Sequence, residues 1–222
     1  MADSSWRRGV LALLLPINCL SCGRESDWIC PDCRRNLQFH REELCFCGKH
    51  ATDGLCAKHR AILGLDGLST LFSYDELAIR ELIHQIKYRR HTDGITFIAR
   101  HYSRKILARL PRGEWIVTAV PLSRERQRKR GFNQSRLLAK KIAEPAYEYA
   151  DLLVKRRETK PQVKLNKTER EKNVRRAFAV KAGAVIPEQV ILVDDVVTTG
   201  STLKEAAAVL RKTGVQKIWG LT

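Results

Sequence analysis

The sequence predicts an α/β fold, a mostly parallel sheet with helices packed on its faces, preceded by a small cysteine-rich metal module. Three observations carry that reading. All seven cysteines fall between Cys19 and Cys56. Beyond Ile62, short apolar runs alternate with helical stripes, as strands joined by crossover helices do. A chain of 222 residues is long enough for one domain of ordinary size with a small appendage, so nothing requires a disulfide scaffold. The expected division is residues 1–62 for the module and 63–222 for the α/β domain.

The module opens on Val10–Leu15, an apolar run of six residues, far short of the roughly 20 that span a bilayer. Arg7 and Arg8 precede this run and Cys19 follows it, as in an export signal. Pro16, Ile17 and Asn18, however, are not the small residues that such a cleavage site needs. A short packed leading helix is expected, in a cytoplasmic protein that does not insert into a membrane. Outside an oxidising compartment the thiols are metal ligands rather than disulfide partners. Cys19-x-x-Cys22 and Cys30-x-x-Cys33 are two hooks that together complete a tetrahedral sulfur shell for zinc. Cys45, Cys47, Cys56 and His59 form a second set. Its Cys56-x-x-His59 half has hook spacing, whereas Cys45-x-Cys47 is one residue tighter. This set is therefore a Cys3His site or a loop packed without metal. With four protein ligands apiece, neither set keeps the open position that catalytic zinc needs, so one or two structural zinc ions are expected.

In the α/β domain, Leu68–Tyr74 has the apolar and aromatic content of a strand. Ile79, Leu82, Ile83 and Ile86 recur at helical spacing, and a looser helical stretch covers residues 95–109. Trp115–Val120 is a short buried strand stopped by Pro121, and residues 134–143 follow as a helix with Leu138 and Ile142 on one side. Val190–Val193 is another buried strand. Leu203, Ala206, Ala207 and Leu210 make a helical stripe ended by Gly214, and Lys217–Leu221 begins a last strand. The charged, unpatterned stretch 155–176 is expected to be a loop.

The most informative segment is Val190–Thr202. An apolar strand delivers Asp194 and Asp195 at its C-terminal end, where open α/β sheets bind ligands. A loop of hydroxyls around Gly200 follows, then a helix that Thr202 opens with Glu205 three residues on, a capping-box pattern. Such a loop and helix N-terminus present N–H groups to a phosphate monoester. Two acids beside a phosphate cradle repel the anion unless they hold sugar hydroxyls or a metal-bound diphosphate, and a phosphorylated ribose with Mg²⁺ meets both conditions. The plainer reading of the acids is a strand-end cap and a solvated carboxylate.

Charge points the same way. The formal net charge is +17, and residues 123–181 hold nineteen basic and seven acidic side chains, a balance of +12. Such a block attracts phosphates or nucleic acid, or is a basic surface without a specific partner.

Val190–Thr202 resembles the 5-phosphoribosyl-1-pyrophosphate (PRPP) signature of type I phosphoribosyltransferases. The cysteine module before it narrows the likeness to the ComF family of competence-related proteins. The similarity extends to Lys87-Tyr88-Arg89 at a helix end and to Val120-Pro-Leu-Ser123 leading into Arg130-Gly-Phe-Asn-Gln134. It continues through Pro161-Gln162, Glu169-Arg170, Asn173 and Phe178, while His59 stands where the family pattern has a cysteine. The resemblance implies a type I phosphoribosyltransferase-like parallel sheet behind a zinc-ribbon module. It implies that Asp194 and Asp195 hold the ribose hydroxyls, directly or through Mg²⁺, and that Thr198, Thr199, Gly200, Ser201 and Thr202 cradle the 5-phosphate. The turn of Pro121, Leu122, Ser123 and Arg124 would face the pyrophosphate.

Lys87, Arg89, Arg128, Lys129 and Arg130 are candidate contacts to DNA or phosphate, and each also suits a solvated surface. Two functional classes follow. The preferred one is a protein that keeps PRPP or nucleotide binding and handles single-stranded DNA in natural transformation, with other competence proteins as partners. The alternative is an active phosphoribosyltransferase that moves ribose 5-phosphate to a base or amine with release of pyrophosphate. No pocket for a base is recognisable in the sequence, and no catalytic residue is assigned.

Overall fold

The strands β1 (Gly67–Ser69), β2 (Ile116–Ala119), β3 (Glu148–Tyr149), β6 (Gln189–Val193) and β7 (Lys217–Leu221) form one sheet in the order β1-β7-β6-β2-β3. Every neighbouring pair in it is parallel. The strands β4 (Leu153–Lys155) and β5 (Phe178–Val180) make a separate antiparallel ribbon. This computed structural model describes residues 17–89, 91–144, 146–157 and 176–222. The expected leading helix lies outside the described residues, as do Arg90 and most of the 155–176 loop with Pro161, Gln162, Glu169, Arg170 and Asn173.

The central strand shows why the sheet must be covered on both faces. Val190 to Val193 are fully buried, and their side chains alternate. Ile191 and Val193 enter one core with Ile79, Leu82 and Ile86 of α3 (Leu77–Arg89), Ile106 of α4 (Asp93–Ala108) and Ile142 of α6 (Gln134–Ala143). Val190 and Leu192 enter the other with Leu203, Ala206, Ala207 and Leu210 of α7 (Ser201–Lys212). A strand buried on both sides reads as a continuous apolar run, as the sequence has it.

The cysteine-rich segment feeds both cores. Cys19, Trp28, Ile29 and Cys30, leading into α1 (Pro31–Arg35), belong to the core containing α4. Cys45, Leu55, Cys56 and Leu63, the last on α2 (Ala57–Leu63), belong to the core containing α7.

Two local expectations change. The first strand stops at Ser69 rather than Tyr74, because the chain leaves the sheet edge and Phe72 instead bridges to Phe39. The signature helix starts at Ser201 rather than Thr202. Its N-cap is Gly200, in the left-handed region at φ 72°, and no side chain caps it. Glu205 therefore makes no capping box; it accepts a hydrogen bond from the Arg176 N–H at 2.5 Å. The charged run after Ser123, which suits a solvated basic helix or loop, is a short helix without buried residues, α5 (Arg124–Arg130).

Candidate functional site

From β2 the chain goes to β3 on one side of the sheet, while β6 on the other side leads to β7. The carboxyl ends of β2 and β6 are therefore a topological switch point, the place where open α/β sheets bind ligands. Those two ends carry the Pro121–Arg124 turn and the Asp194–Asp195 pair, held together by the Val120 N–H donating to the Val193 carbonyl at 2.9 Å.

The two acids are half-buried and held by different partners. Asp194 Oδ1 accepts from the Asp195 N–H at 2.9 Å and from the Ser135 hydroxyl at 3.4 Å. Asp195 Oδ2 accepts from Gln134 Nε2 at 2.5 Å and pairs with Lys87 Nζ at 2.8 Å. Burial, reinforced by the charge of Asp195, pushes the Asp194 carboxyl up to about 7. Burial pushes Asp195 upward too, but the Lys87 ammonium and the Gln134 amide outweigh it and hold Asp195 below the usual carboxylate range. The pair thus offers one fixed carboxylate and one carboxyl that ionises near neutrality, as coupled acids do. A divalent cation suits Asp194 by supplying the positive partner it lacks, and ribose hydroxyls suit both acids as hydrogen-bond donors.

Beyond the acids, the chain turns through Val196–Gly200 into α7. The Thr199 and Ser201 hydroxyls lie 2.7 Å apart, the Ser201 N–H donates to Thr199 Oγ1 at 3.4 Å, and the helix of 12 residues points its N-terminus at the loop. Leu63 of α2 packs directly against Gly200: a Cβ there would come within 2.6 Å of Leu63 Cδ2. The cysteine-rich segment therefore supports the loop that would cradle phosphate.

The turn at Pro121–Arg124 is fixed from below. Ser123 is buried and caps α5 by accepting from the Arg126 N–H at 3.4 Å. Asn133 donates to the Val120 carbonyl at 3.0 Å and accepts from the Arg136 N–H at 3.3 Å, so it ties the turn to the start of α6. That places Gln134 and Ser135 beside the acids. Neither was assigned a role from the sequence, although Asn133 opening a helix inside Arg130-Gly-Phe-Asn-Gln134 was the available signal. Lys87 lies in the same crevice, not on an open surface. Arg130 reaches over the Tyr88 ring, 5.4 Å from its centroid. Arg89 is exposed at the end of α3, and Arg128 and Lys129 are exposed on α5, where Lys129 pairs with Glu125 at 2.6 Å.

Two cavities adjoin this region. One, of about 310 Å³, has mainly apolar walls that include Phe72, Ile79, Ile83 and Phe46, and it reaches Asp195, Lys87 and Gln134. No periodicity announced it, because its walls come from segments far apart in the chain. The other, of about 640 Å³, is lined by Arg124, Arg136, Lys155, Arg156, Arg157 and Lys181. Its acid, Asp151, pairs with Arg136 and accepts from the Tyr149 hydroxyl at 2.5 Å. Burial would raise the Asp151 carboxyl, but these partners hold it below the usual range.

Both proposed ligand sets converge in space. Cys19, Cys22, Cys30 and Cys33 bring their sulfurs within 4.8 Å of one another, and Cys45, Cys47, Cys56 and His59 do the same with three sulfurs and a ring nitrogen. A tetrahedron with Zn–S bonds of about 2.3 Å has edges of about 3.8 Å. Cys22 Sγ and Cys30 Sγ are 3.8 Å apart, and Cys47 Sγ and Cys56 Sγ are 3.9 Å apart. His59 Nδ1 lies 3.3 Å from Cys45 Sγ and 3.4 Å from Cys56 Sγ, close to the edge of about 3.5 Å for mixed N and S ligands. The compressed Cys45-Phe-Cys47 hook therefore still brings its ligand atoms to spacings that could hold a metal ion. Among the described residues, no helix is long and apolar enough to cross a membrane.

Comparison with known proteins places these features together. The phosphoribosyl transferase domain model matches residues 128–219, a stretch that includes both acids and the Gly200 loop. The competence protein ComFC of Streptococcus pneumoniae is 28% identical, covering 93% of this chain and 89% of its own. The competence protein F of Haemophilus influenzae is 40% identical over a shorter stretch, 47% of this chain and 48% of its own. The DNA utilization protein YhgH of Escherichia coli is 30% identical over 203 residues, 87% of this chain and 89% of that one. Since this likeness runs through the cysteine-rich segment and the phosphoribosyl transferase domain alike, the chain belongs to the ComF family.

Proposed function

We propose that this protein binds PRPP, or a nucleotide phosphate of the same shape, with Mg²⁺, and that it handles single-stranded DNA in the cytoplasm during DNA uptake. The observation that carries the ligand reading is the acid pair at the switch point, one carboxylate fixed by Lys87 and the other able to ionise beside a phosphate cradle. In this reading Asp194 and Asp195 meet the ribose hydroxyls or the cation, and residues 198–202 meet the 5-phosphate. The Pro121–Arg124 turn faces the pyrophosphate, whose charge the Mg²⁺ ion neutralises when bound. The two cysteine-rich clusters hold structural zinc.

The DNA half of the reading draws on the basic 123–181 block and on the cavity that gathers its cations. It also draws on relatives named for competence and DNA utilization. Other competence proteins are the expected partners.

A second reading, an active phosphoribosyltransferase, is favoured by one observation: an apolar cavity opens beside Asp195, where an acceptor would approach the ribose. Incubating the protein with Mg²⁺–PRPP and a panel of bases separates the two. PRPP binding without pyrophosphate release supports the first reading, and release supports the second. Absence of PRPP binding removes the second reading and the PRPP form of the first.

A further inference from the structure

An aromatic pair stands outside the crevice, on the exposed side of α3. Tyr88 is 57% exposed, and its ring lies 4.7 Å from that of His84, one helical turn back and itself exposed. Lys87, the neighbour of Tyr88 in the chain, turns onto Asp195 and lines the apolar cavity, whereas Tyr88 is not among the residues that line it. Consecutive helix positions point about 100° apart, so one residue can serve the crevice while the next faces solvent.

A single exposed ring is ordinary on a protein surface. What sets Tyr88 apart is its surroundings. The Arg130 guanidinium, carried by the last residue of α5, lies 5.4 Å from the centre of the ring, within cation–π range. Arg128 and Lys129 precede it on the same helix and are exposed, as is Arg89 next to Tyr88. The acid nearest the pair on α3 is Glu81, 4.0 Å from His84 Nδ1, which also accepts from the Gln85 amide at 2.6 Å.

Exposed rings beside a row of cations match a ligand that carries flat rings and negative charge together. Single-stranded nucleic acid does so, because its unpaired bases stack on aromatic side chains while its phosphates meet the cations. In a duplex the bases already stack on one another and offer no free face. An acidic peptide would satisfy the cations and leave the rings unused. The basic block 123–181 lacks stacking surface of its own, since Phe178 is buried and Tyr147 and Tyr149 pack against the core. α3 supplies that surface from outside the block.

We propose that Tyr88, with His84 beside it, is a base-stacking platform for single-stranded nucleic acid, and that Arg130 engages the phosphate next to the stacked base. The proposal rests on the single-strand reading above and adds a contact to the bases, which the charge of the block does not supply.

The test is fluorescence anisotropy on the full, metal-loaded chain with two strands of equal length, one normal and one whose sugars carry no bases. Tyr88→Ala should bind the normal strand about fivefold or more weakly, the worth of one stacked base, and Tyr88→Phe should restore most of that loss. Since no cation is removed, the log–log salt slope of Tyr88→Ala should stay that of wild type. The same variant should bind the baseless strand as wild type does. Arg130→Gln should instead weaken both strands and flatten the slope by about 0.7. Melting temperature checks that each variant is folded. The proposal is overturned, and the single-strand reading kept, if folded Tyr88→Ala binds the normal strand as wild type does, which would leave the ring to a protein partner, or if it loses both strands alike. It is overturned equally if Tyr88→Ala loses PRPP along with the strand, which would assign the ring to the crevice. Wild type that binds neither strand at low salt removes the single-strand reading and this proposal together.

Discussion

Asp194 and Asp195 are neighbours with opposite electrostatic fates, and the difference predicts how each variant behaves. The Asp194 carboxyl is raised to about 7, so the folded protein holds a proton there that the unfolded chain has already released. Stability from this group is full below the unfolded value near 4 and is lost as pH rises toward 7. Asp194→Asn should therefore melt higher than wild type at pH 8 and show a flatter decline between pH 4 and 7. It should bind Mg²⁺–PRPP at least tenfold more weakly, because a neutral amide cannot meet the cation. Asp195→Asn leaves Lys87 in the crevice without its counter-charge and should lose both ligand affinity and stability. In wild type, PRPP affinity should climb between pH 6 and 8 as Asp194 releases its proton to solvent and its carboxylate can meet the cation. Thermal scans across pH and calorimetry on the two variants check all of this. A flat affinity profile would detach Asp194 from the ligand.

At the scale of elements, the cysteine-rich segment works as a buttress for the α/β domain. Gly200→Ala tests this, since the new Cβ would meet both a left-handed backbone and the Leu63 side chain, 2.6 Å away. Gly131→Ala shares the left-handed backbone, at φ 84°, but has open space around it. Gly131→Ala should cost about 1–2 kcal/mol of stability, the conformational penalty alone. Gly200→Ala should cost more and weaken PRPP binding, and adding Leu63→Ala should recover part of that affinity. Equal effects at both glycines would mean that α2 does not brace the loop.

Metal removal should act more widely. Elemental analysis is expected to give two zinc ions per chain, with Cys33→Ser and Cys56→Ser each losing one. Chelation should red-shift the emission of buried Trp28, whose core is shared with α4, and should loosen the sheet as well as the module. An unchanged α/β melting transition in metal-free protein would contradict that coupling.

Much of this fold was legible because β6 and α7 carry unmixed patterns, four buried apolar residues in a row and a helical stripe. The acid pair was legible because its strand end and glycine loop are contiguous in the chain. The pairing of Lys87 with Asp195 and the roles of Gln134 and Ser135 were not, since each depends on contact with residues about 60 or more positions away, or 108 in the case of Lys87 and Asp195. The apolar cavity was hidden for the same reason.

Over the whole molecule, the net +17 charge is gathered unevenly. Cations from Arg124 to Lys181 line one cavity, where Asp151 is already neutralised by Arg136. α5 adds Arg128, Lys129 and Arg130 in an exposed helix. Within residues 123–181 the aromatics are Phe132, Tyr147, Tyr149 and Phe178, with Phe178 buried and Tyr147 and Tyr149 packed against the core. Little aromatic surface is left there for stacking, so single strands should bind with little sequence preference and chiefly through their phosphates. Affinity should then fall steeply with salt, by a log–log slope of about −0.7 for each neutralised phosphate. Replacing Arg128, Lys129 and Arg130 together with Gln should flatten that slope by about two units if all three face the strand. Lys129 is already paired with Glu125, so a change nearer to one and a half would mean that this pair persists in the complex. PRPP affinity, measured on the same variant, separates strand contact from a pyrophosphate role. A variant that loses PRPP while its salt slope for DNA stays that of wild type would place these cations at the small ligand and shift the protein toward the transferase reading.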